Sequence, residues 1–90
     1  MMEAKKMDKK METRIVNAIS HTFTQIASDL EEGCAEMGEH MTLEVALEGC
    51  IDADRVATFG QDPEAAKALY ALGSYKEMCV LGRKALKQYF

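Results

Sequence analysis

Apolar residues in the first third of the chain recur at intervals of three or four, which is the spacing of one face of an α-helix. They are Met7, Met11, Ile15, Ile19, Phe23, Ile26 and Leu30. The first strong interruption of this pattern is Gly33, so we predict one long helix over about residues 4–32. Residues 1–6 are expected to be frayed.

A helix of this length has a consequence for assembly. About 28 residues at 1.5 Å each make a rod of roughly 42 Å, whereas a compact domain of 90 residues is roughly 30 Å across. We therefore expect the first helix to overhang its domain and to leave Met7 and Met11 uncovered. A second copy of the chain could cover them, which makes a homodimer a possible state.

A second helical set follows the turn that two glycines predict in "GCAEMGEHM". Its members are Leu43, Ala46, Leu47, Cys50 and Ile51. Thr42 is a suitable N-cap, and we predict that this helix runs to about Phe59 and ends at Gly60. An alternative is a split into two helices at Gly49 or at "DAD", residues 52–54.

Two more helices are predicted from the signals at their ends. Asp62 is a suitable N-cap, Pro63 fits the first helical position and Gly73 ends the helix. Ser74 and Glu77 have the spacing of a capping box, which predicts a last helix that continues to the C-terminus. The predicted apolar face of this helix comprises Tyr75, Met78, Cys79, Gly82, Ala85, Leu86 and Tyr89.

The predicted fold class is all-α: a single small domain of four or five helices over residues 1–90, with a long N-terminal helix and a C-terminal antiparallel helical hairpin. Within that hairpin, Gly82 lies on the apolar face and would let another helix approach closely. The composition agrees, because helix formers dominate a chain that has one proline and no tryptophan.

The segment "GSYKEMCVLGRKAL" resembles the second half of a tetratricopeptide repeat, and "ALYALG" before it resembles the end of that repeat's first helix. The matching residues are Gly73, Tyr75, Glu77 and the run Lys84-Ala85-Leu86. The match covers under a third of the chain, Met78 stands where the repeat has alanine, and no second copy follows at a period of about 34 residues. The resemblance implies a helical hairpin, and any two capped antiparallel helices would also produce this pattern.

The sequence carries no sign of secretion or of a membrane segment. No apolar run approaches the roughly 20 residues that span a bilayer, and the charged N-terminus leads into no apolar signal region. Cys34, Cys50 and Cys79 have no paired spacing, so we interpret them as small buried hydrophobes in a reducing compartment. We expect a cytoplasmic protein.

Known catalytic motifs are missing from the sequence. It contains no phosphate-binding glycine loop, GxSxG, HExxH or CxxC, so we predict a protein that is not an enzyme and needs no cofactor. Glu36, His40 and Glu44 at helical spacing, with Cys34 or Cys50 nearby, leave a metal-binding regulator as an alternative, although their spacing matches no known zinc motif.

Charge is distributed unevenly. Residues 29–64 hold eleven acidic residues and one basic residue, Arg55, whereas the segments on either side carry a net positive charge. Helix starts account for Asp62 and Glu64, but acids near the predicted end of the first helix oppose its dipole. The predicted partner-binding residues are Asp29, Glu32, Glu36, Glu39, Glu44, Glu48, Asp52 and Asp54.

An acidic segment of this kind is expected to bind a basic protein surface, and the commonest such surfaces are nucleic-acid-binding grooves. Direct nucleic-acid binding is not expected, because phosphates would repel these acids. In style the chain resembles acidic, single-domain phage proteins that inhibit host nucleases and CRISPR complexes. The alternative function is a helical adaptor or chaperone-like protein that binds through the hydrophobic C-terminal hairpin with Tyr70, Tyr75, Tyr89 and Phe90.

Overall fold

Five α-helices account for most of residues 8–90, the part of the chain that this computed structural model describes. They are α1 Lys9–Glu36, α2 Leu43–Cys50, α3 Ala53–Phe59, α4 Pro63–Ala71 and α5 Tyr75–Leu86, followed by a 3₁₀ turn over Lys87–Tyr89. The prediction of an all-α domain with four or five helices and a long first helix is confirmed. The predicted fraying of residues 1–6 lies outside the described residues.

The long helix α1 ends one turn later than predicted. Gly33 does not stop it, because an exposed glycine costs a helix only about 1 kcal/mol relative to alanine and the next residue, Cys34, is buried. The helix ends instead at Glu36, two residues before Gly38, whose φ of +73° is the left-handed conformation that favours glycine. The Gly38 amide donates to the Ala35 carbonyl and the Glu39 amide to the Cys34 carbonyl, which completes a Schellman motif.

The central helix is split, as the alternative prediction allowed. Thr42 caps α2 through its side chain, which accepts a hydrogen bond from the Val45 amide at 3.3 Å. Asp52 then begins α3, since its carboxylate accepts the Asp54 amide at 2.8 Å and the Arg55 amide at 3.3 Å. The Asp52 cap therefore divides residues 43–59 into two helices, although the spacing of the apolar residues alone predicts one.

The last two helices begin where their capping signals lie. Asp62 accepts the Ala65 amide at 3.2 Å, and Ser74 accepts the Glu77 amide at 3.3 Å. Gly73 has a φ of +68°, so it reverses the chain after α4. The predicted starts of α4 and α5 and the predicted end of α4 are confirmed. The predicted continuation of the last helix to the C-terminus is wrong, because α5 ends at Leu86 and a 3₁₀ turn follows.

Helix α1 is the common packing partner of the other four helices. Its buried residues Ile15, Ile19, Phe23 and Ile26 form one stripe of the core. Helix α4 packs mainly on α3 and α1, and α5 packs mainly on α1 and α2. Gly73 joins the two C-terminal helices through a short turn, but each packs on other helices rather than closely on its neighbour. The resemblance to a tetratricopeptide repeat therefore does not extend to their packing.

The overhang of α1 that the sequence predicts at Met7 and Met11 does not leave Met11 uncovered. The molecule measures 47 × 23 × 21 Å, and a helix of 28 residues spans roughly 42 Å of the long dimension. Met11 is half-buried against the core rather than uncovered, while Met7 lies outside the described residues. Most residues in the last two turns of α1 are exposed, but Cys34 is buried and Leu30 is half-buried. The homodimer stays a prediction, and an uncovered Met11 no longer supports it.

Gly82 allows the close approach of α5 to α2 that the sequence predicts. A methyl group added there would collide with Leu47 Cδ1 and would lie 2.7 Å from Ile51 Cγ2. Leu47 and Ile51 are both buried, and the β-branched Ile51 methyl cannot move away without its backbone. Glycine at this position thus sets the distance between the two helices.

Gly82→Ala is expected to destabilise the protein by about 1–2 kcal/mol, because overpacking at the interface outweighs the better helix propensity of alanine. The matched control is Gly33→Ala, where an added methyl meets no atom within 4 Å and the free energy of unfolding should rise by about 0.5–1 kcal/mol. Urea denaturation of both variants measures the difference. Equal stability of Gly82→Ala and wild type would contradict the assignment.

Arg14 connects α1 to the start of α4. Its guanidinium donates to Asp62 through Nε at 2.8 Å and Nη2 at 2.6 Å, and it reaches Glu64 at 3.1 Å. The hydrogen bond from Arg14 holds the pKa of the Asp62 carboxyl below its usual range. The same carboxylate therefore caps α4 and pairs with α1.

Arg14→Gln is expected to lower stability at pH 7, and the difference from wild type should shrink as the pH falls below about 4. The sign follows from the lowered pKa of Asp62: its contribution is present above the unfolded-state pKa, about 3.9, and is lost as the pH falls through the folded-state value. Thermal denaturation between pH 2.5 and 7 measures the effect.

Arg83→Gln is the control for this pair, because Arg83 forms one exposed contact of 3.7 Å with Glu44 and should contribute little. A constant stability difference between Arg14→Gln and wild type across this pH range would show that the ion pair does not supply it.

Candidate functional site

All eight acids predicted to bind a partner are exposed. Within residues 8–90 only Glu44 among them forms an ion pair, with Arg83. The single basic residue of the acidic segment, Arg55, donates through Nη1 to the Gly49 carbonyl at 2.7 Å and so satisfies the C-terminal end of α2. The acids are thus displayed to solvent with little local compensation of their charge.

Three of the acids form one stripe on α1. Asp29, Glu32 and Glu36 are spaced by three and four residues and share a side of the helix. Ala18 lies five helical turns before Glu36 and therefore on the same side. Because Ala18 contacts Gly60 at the end of α3, this stripe continues the side of α1 on which α3 packs.

The acids of α2 form a second stripe, which borders α5. Glu44 pairs with Arg83 of α5. Desolvation raises the pKa of the Tyr75 hydroxyl on α5, and the Cys79 thiol and the nearby Glu48 and Glu44 carboxylates add to the rise.

The surface of α2 that faces α1 is not the surface that carries Glu44 and Glu48. A methyl group added at Gly49 would lie 3.0 Å from Leu30 Cδ2 of α1, and glutamates 44 and 48 are on the α5 side of the helix. The two stripes therefore border different helices and do not merge into one continuous row.

Local structure explains three of the eight acids. Asp52 caps α3, Asp54 lies in the first turn of α3, and Glu44 lies in the first turn of α2, where the helix dipole favours anions. The acids without such a role are Asp29, Glu32, Glu36, Glu39 and Glu48.

Because α1 extends to Glu36, the acids that oppose its dipole are not the ones that the predicted helix end indicated. Asp29 and Glu32 lie more than one turn from the helix end, where the dipole has little effect. Glu36 lies in the last turn of α1 and Glu48 in the last turn of α2, and neither turn contains a basic residue. These two glutamates are the ones that oppose a dipole.

A metal site is not assembled in the described part of the chain. Among residues 8–90, no three His, Cys, Asp or Glu side chains come close enough together to hold a metal ion. Cys34, Cys50 and Cys79 are free and buried, and burial raises the pKa of the Cys50 thiol to about 11. The geometry gives the metal-binding alternative no support.

The aromatic residues of the adaptor alternative are dispersed. Tyr70 lies on α4 beside Asp52 and Asp54, and Tyr75 lies at the start of α5. Only Tyr89 and Phe90 lie together, at the chain end. The aromatic residues therefore do not form the single hydrophobic surface that this alternative requires.

An open groove of about 600 Å³ was not predicted from the sequence. Its lining residues are Phe23, Ala27, Glu31, Ala35, Glu39, His40, Met41, Tyr89 and Phe90. The first four are spaced by four residues along α1, a signal that was available but that mixes apolar residues with a glutamate. One wall of the groove is formed by Tyr89 and Phe90 at the C-terminal end of the chain. No local sequence pattern predicts that these two residues lie beside α1.

The chain matches no protein-family model, no curated protein and no solved structure. Within residues 8–90, no helix is long and apolar enough to cross a membrane.

We expect Cys50 to resist alkylation in the folded protein. At pH 8 a thiol with a pKa of about 11 has a thiolate fraction roughly 200-fold lower than an ordinary thiol, and the side chain is buried. Timed reaction with iodoacetamide followed by peptide mass spectrometry measures the rate, with the urea-unfolded protein as the control. Labelling of Cys50 at the same rate in folded and unfolded protein would contradict its burial.

Proposed function

We propose that this chain is a non-enzymatic interaction module whose acidic segment, residues 29–64, binds a basic surface of a partner protein. The observation that carries the proposal is the exposure of eight acids in a segment whose single cation, Arg55, is engaged by a backbone carbonyl. Such a surface attracts a basic partner over several ångströms and raises the rate of association.

The positions of Glu36 and Glu48 support a role other than stability. Each lies at the C-terminal end of a helix, where an anion costs roughly 0.3–1 kcal/mol. Glu36 also follows Glu32 by four residues, a spacing at which like charges repel. A residue that destabilises its own helix is often retained for function.

Nucleic-acid-binding enzymes and complexes are the partner class that we favour, because their grooves are the commonest large basic surfaces. An acidic module in such a groove would exclude DNA or RNA and act as an inhibitor, in the manner of phage anti-defence proteins. The module itself does not bind nucleic acid in this proposal. The free cysteines are compatible with a reducing compartment such as the cytoplasm.

Glu36→Lys combined with Glu48→Lys is expected to stabilise the protein and to abolish partner binding. Stability should rise by roughly 0.3–1 kcal/mol per site, because each lysine favours the helix end that the glutamate opposed. Binding is measured by capture of basic proteins from a lysate on immobilised wild type and variant, with elution by increasing salt. A captured protein is then tested for loss of DNA or RNA binding when wild type is added.

Glu77→Lys is the matched control, since Glu77 lies in the first turn of α5 outside the acidic segment. It changes the net charge by the same amount as either single variant, yet it should lower stability and leave capture intact. Identical proteins captured by wild type and by the double variant would contradict the proposed function.

A further inference from the structure

The groove beside α1 has a shape suited to a peptide segment. It follows α1 from Phe23 to Ala35, a distance of roughly 18 Å at 1.5 Å per residue. Its volume of about 600 Å³ falls in the range of about 300–1,000 Å³ typical of ligand sites. A groove of this length accommodates several residues of an extended or helical chain.

The C-terminal wall of the groove is held in place by specific contacts. The rings of Phe23 and Tyr89 are 4.8 Å apart between centroids, and those of Phe23 and Phe90 are 5.9 Å apart. The Tyr89 hydroxyl also lies 2.5 Å from Ser20 Oγ. These contacts form the wall before any ligand arrives, which reduces the entropy cost of binding.

The other wall is fixed by the end of α1. The Schellman hydrogen bond from the Glu39 amide to the Cys34 carbonyl, 2.8 Å long, directs residues 39–41 back along the helix. Met41 is half-buried against the core. Both walls are therefore preformed on either side of Phe23, Ala27, Glu31 and Ala35 of α1.

The wall keeps large apolar surface in contact with water. Phe90 is 52% exposed and Tyr89 is 41% exposed, although both pack on Phe23. An aromatic wall of this kind gains free energy when an apolar side chain covers it.

The charges around the groove are of one sign. Glu31 and Glu39 are its acidic lining residues, and none of the lining residues is lysine or arginine. The adjoining segment from Asp29 to Asp54 also has no lysine or arginine. The electrostatic complement is a positively charged ligand.

We propose that the groove binds a peptide segment of the partner protein in which one or two large apolar side chains are flanked by lysine or arginine. The apolar side chains cover Tyr89 and Phe90, and the basic residues face Glu31 and Glu39. This inference rests on the proposed function, since it assigns the part of the basic partner that the module recognises. The groove supplies the hydrophobic anchor that an exposed acidic surface lacks.

Three fluorescein-labelled synthetic peptides of twelve residues test the proposal by fluorescence anisotropy with the full chain. The first has a central leucine and tryptophan flanked by four lysines, the second replaces the lysines with glutamine, and the third replaces leucine and tryptophan with serine. The first peptide is expected to bind at least tenfold more tightly than either of the others.

Ala35→Phe is expected to weaken binding of the first peptide at least tenfold, because the added ring occupies the groove without changing the charge. Ala71→Phe is the matched control, since Ala71 is an exposed alanine on α4 that does not line the groove, and it should bind like wild type. Phe90→Ala, which removes an exposed side chain, should also weaken binding. Circular dichroism checks that each variant is folded.

Each other outcome has a defined meaning. Equal binding of the first peptide and either of the other two, or wild-type binding by Ala35→Phe, overturns the groove proposal and leaves the acidic-surface function to its own capture experiment. A concentration-dependent dimer that Ala35→Phe dissociates, measured by sedimentation, would assign the groove to a second copy and also overturn it.

Discussion

The apolar stripe of α1 is the constraint on which the rest of the structure depends. Each of the other four helices packs on α1, and none of them exceeds twelve residues, a length at which an isolated helix is marginal in water. Their stability comes from burying an apolar face against Ile15, Ile19 and their neighbours. The last two turns of the same helix carry Asp29, Glu32 and Glu36, so one element both organises the fold and presents part of the acidic surface.

Local signals predicted the starts of α2, α4 and α5 because the responsible interactions span three residues. The side chains of Asp62, Ser74 and Thr42 each accept a hydrogen bond from a backbone amide three residues later. Residue type and spacing alone therefore predict these contacts. The end of α1 was misplaced because two glycines compete for it. The burial of Cys34 decides between them, and that burial depends on distant parts of the chain.

Helix pairing and the shape of the candidate site could not be predicted in the same way. Sequence order placed α4 beside α5, whereas tertiary packing joins α4 to α3. The acids themselves were identified from the sequence, but which helix each stripe borders depends on Gly49 facing Leu30 and on Glu44 meeting Arg83. The charges in the sequence thus identified the acidic segment, but only the folded structure shows how its acids are arranged around the helices.

The division of the acids between two stripes limits the shape of any partner. One stripe lies on the side of α1 that packs on α3, and the other borders α5 on a molecule whose two shorter dimensions are 23 and 21 Å. A flat surface can meet only one of these sides at a time, while a concave surface can enclose both. If the proposed partner engages both stripes at once, it therefore needs a cleft about as wide as this protein.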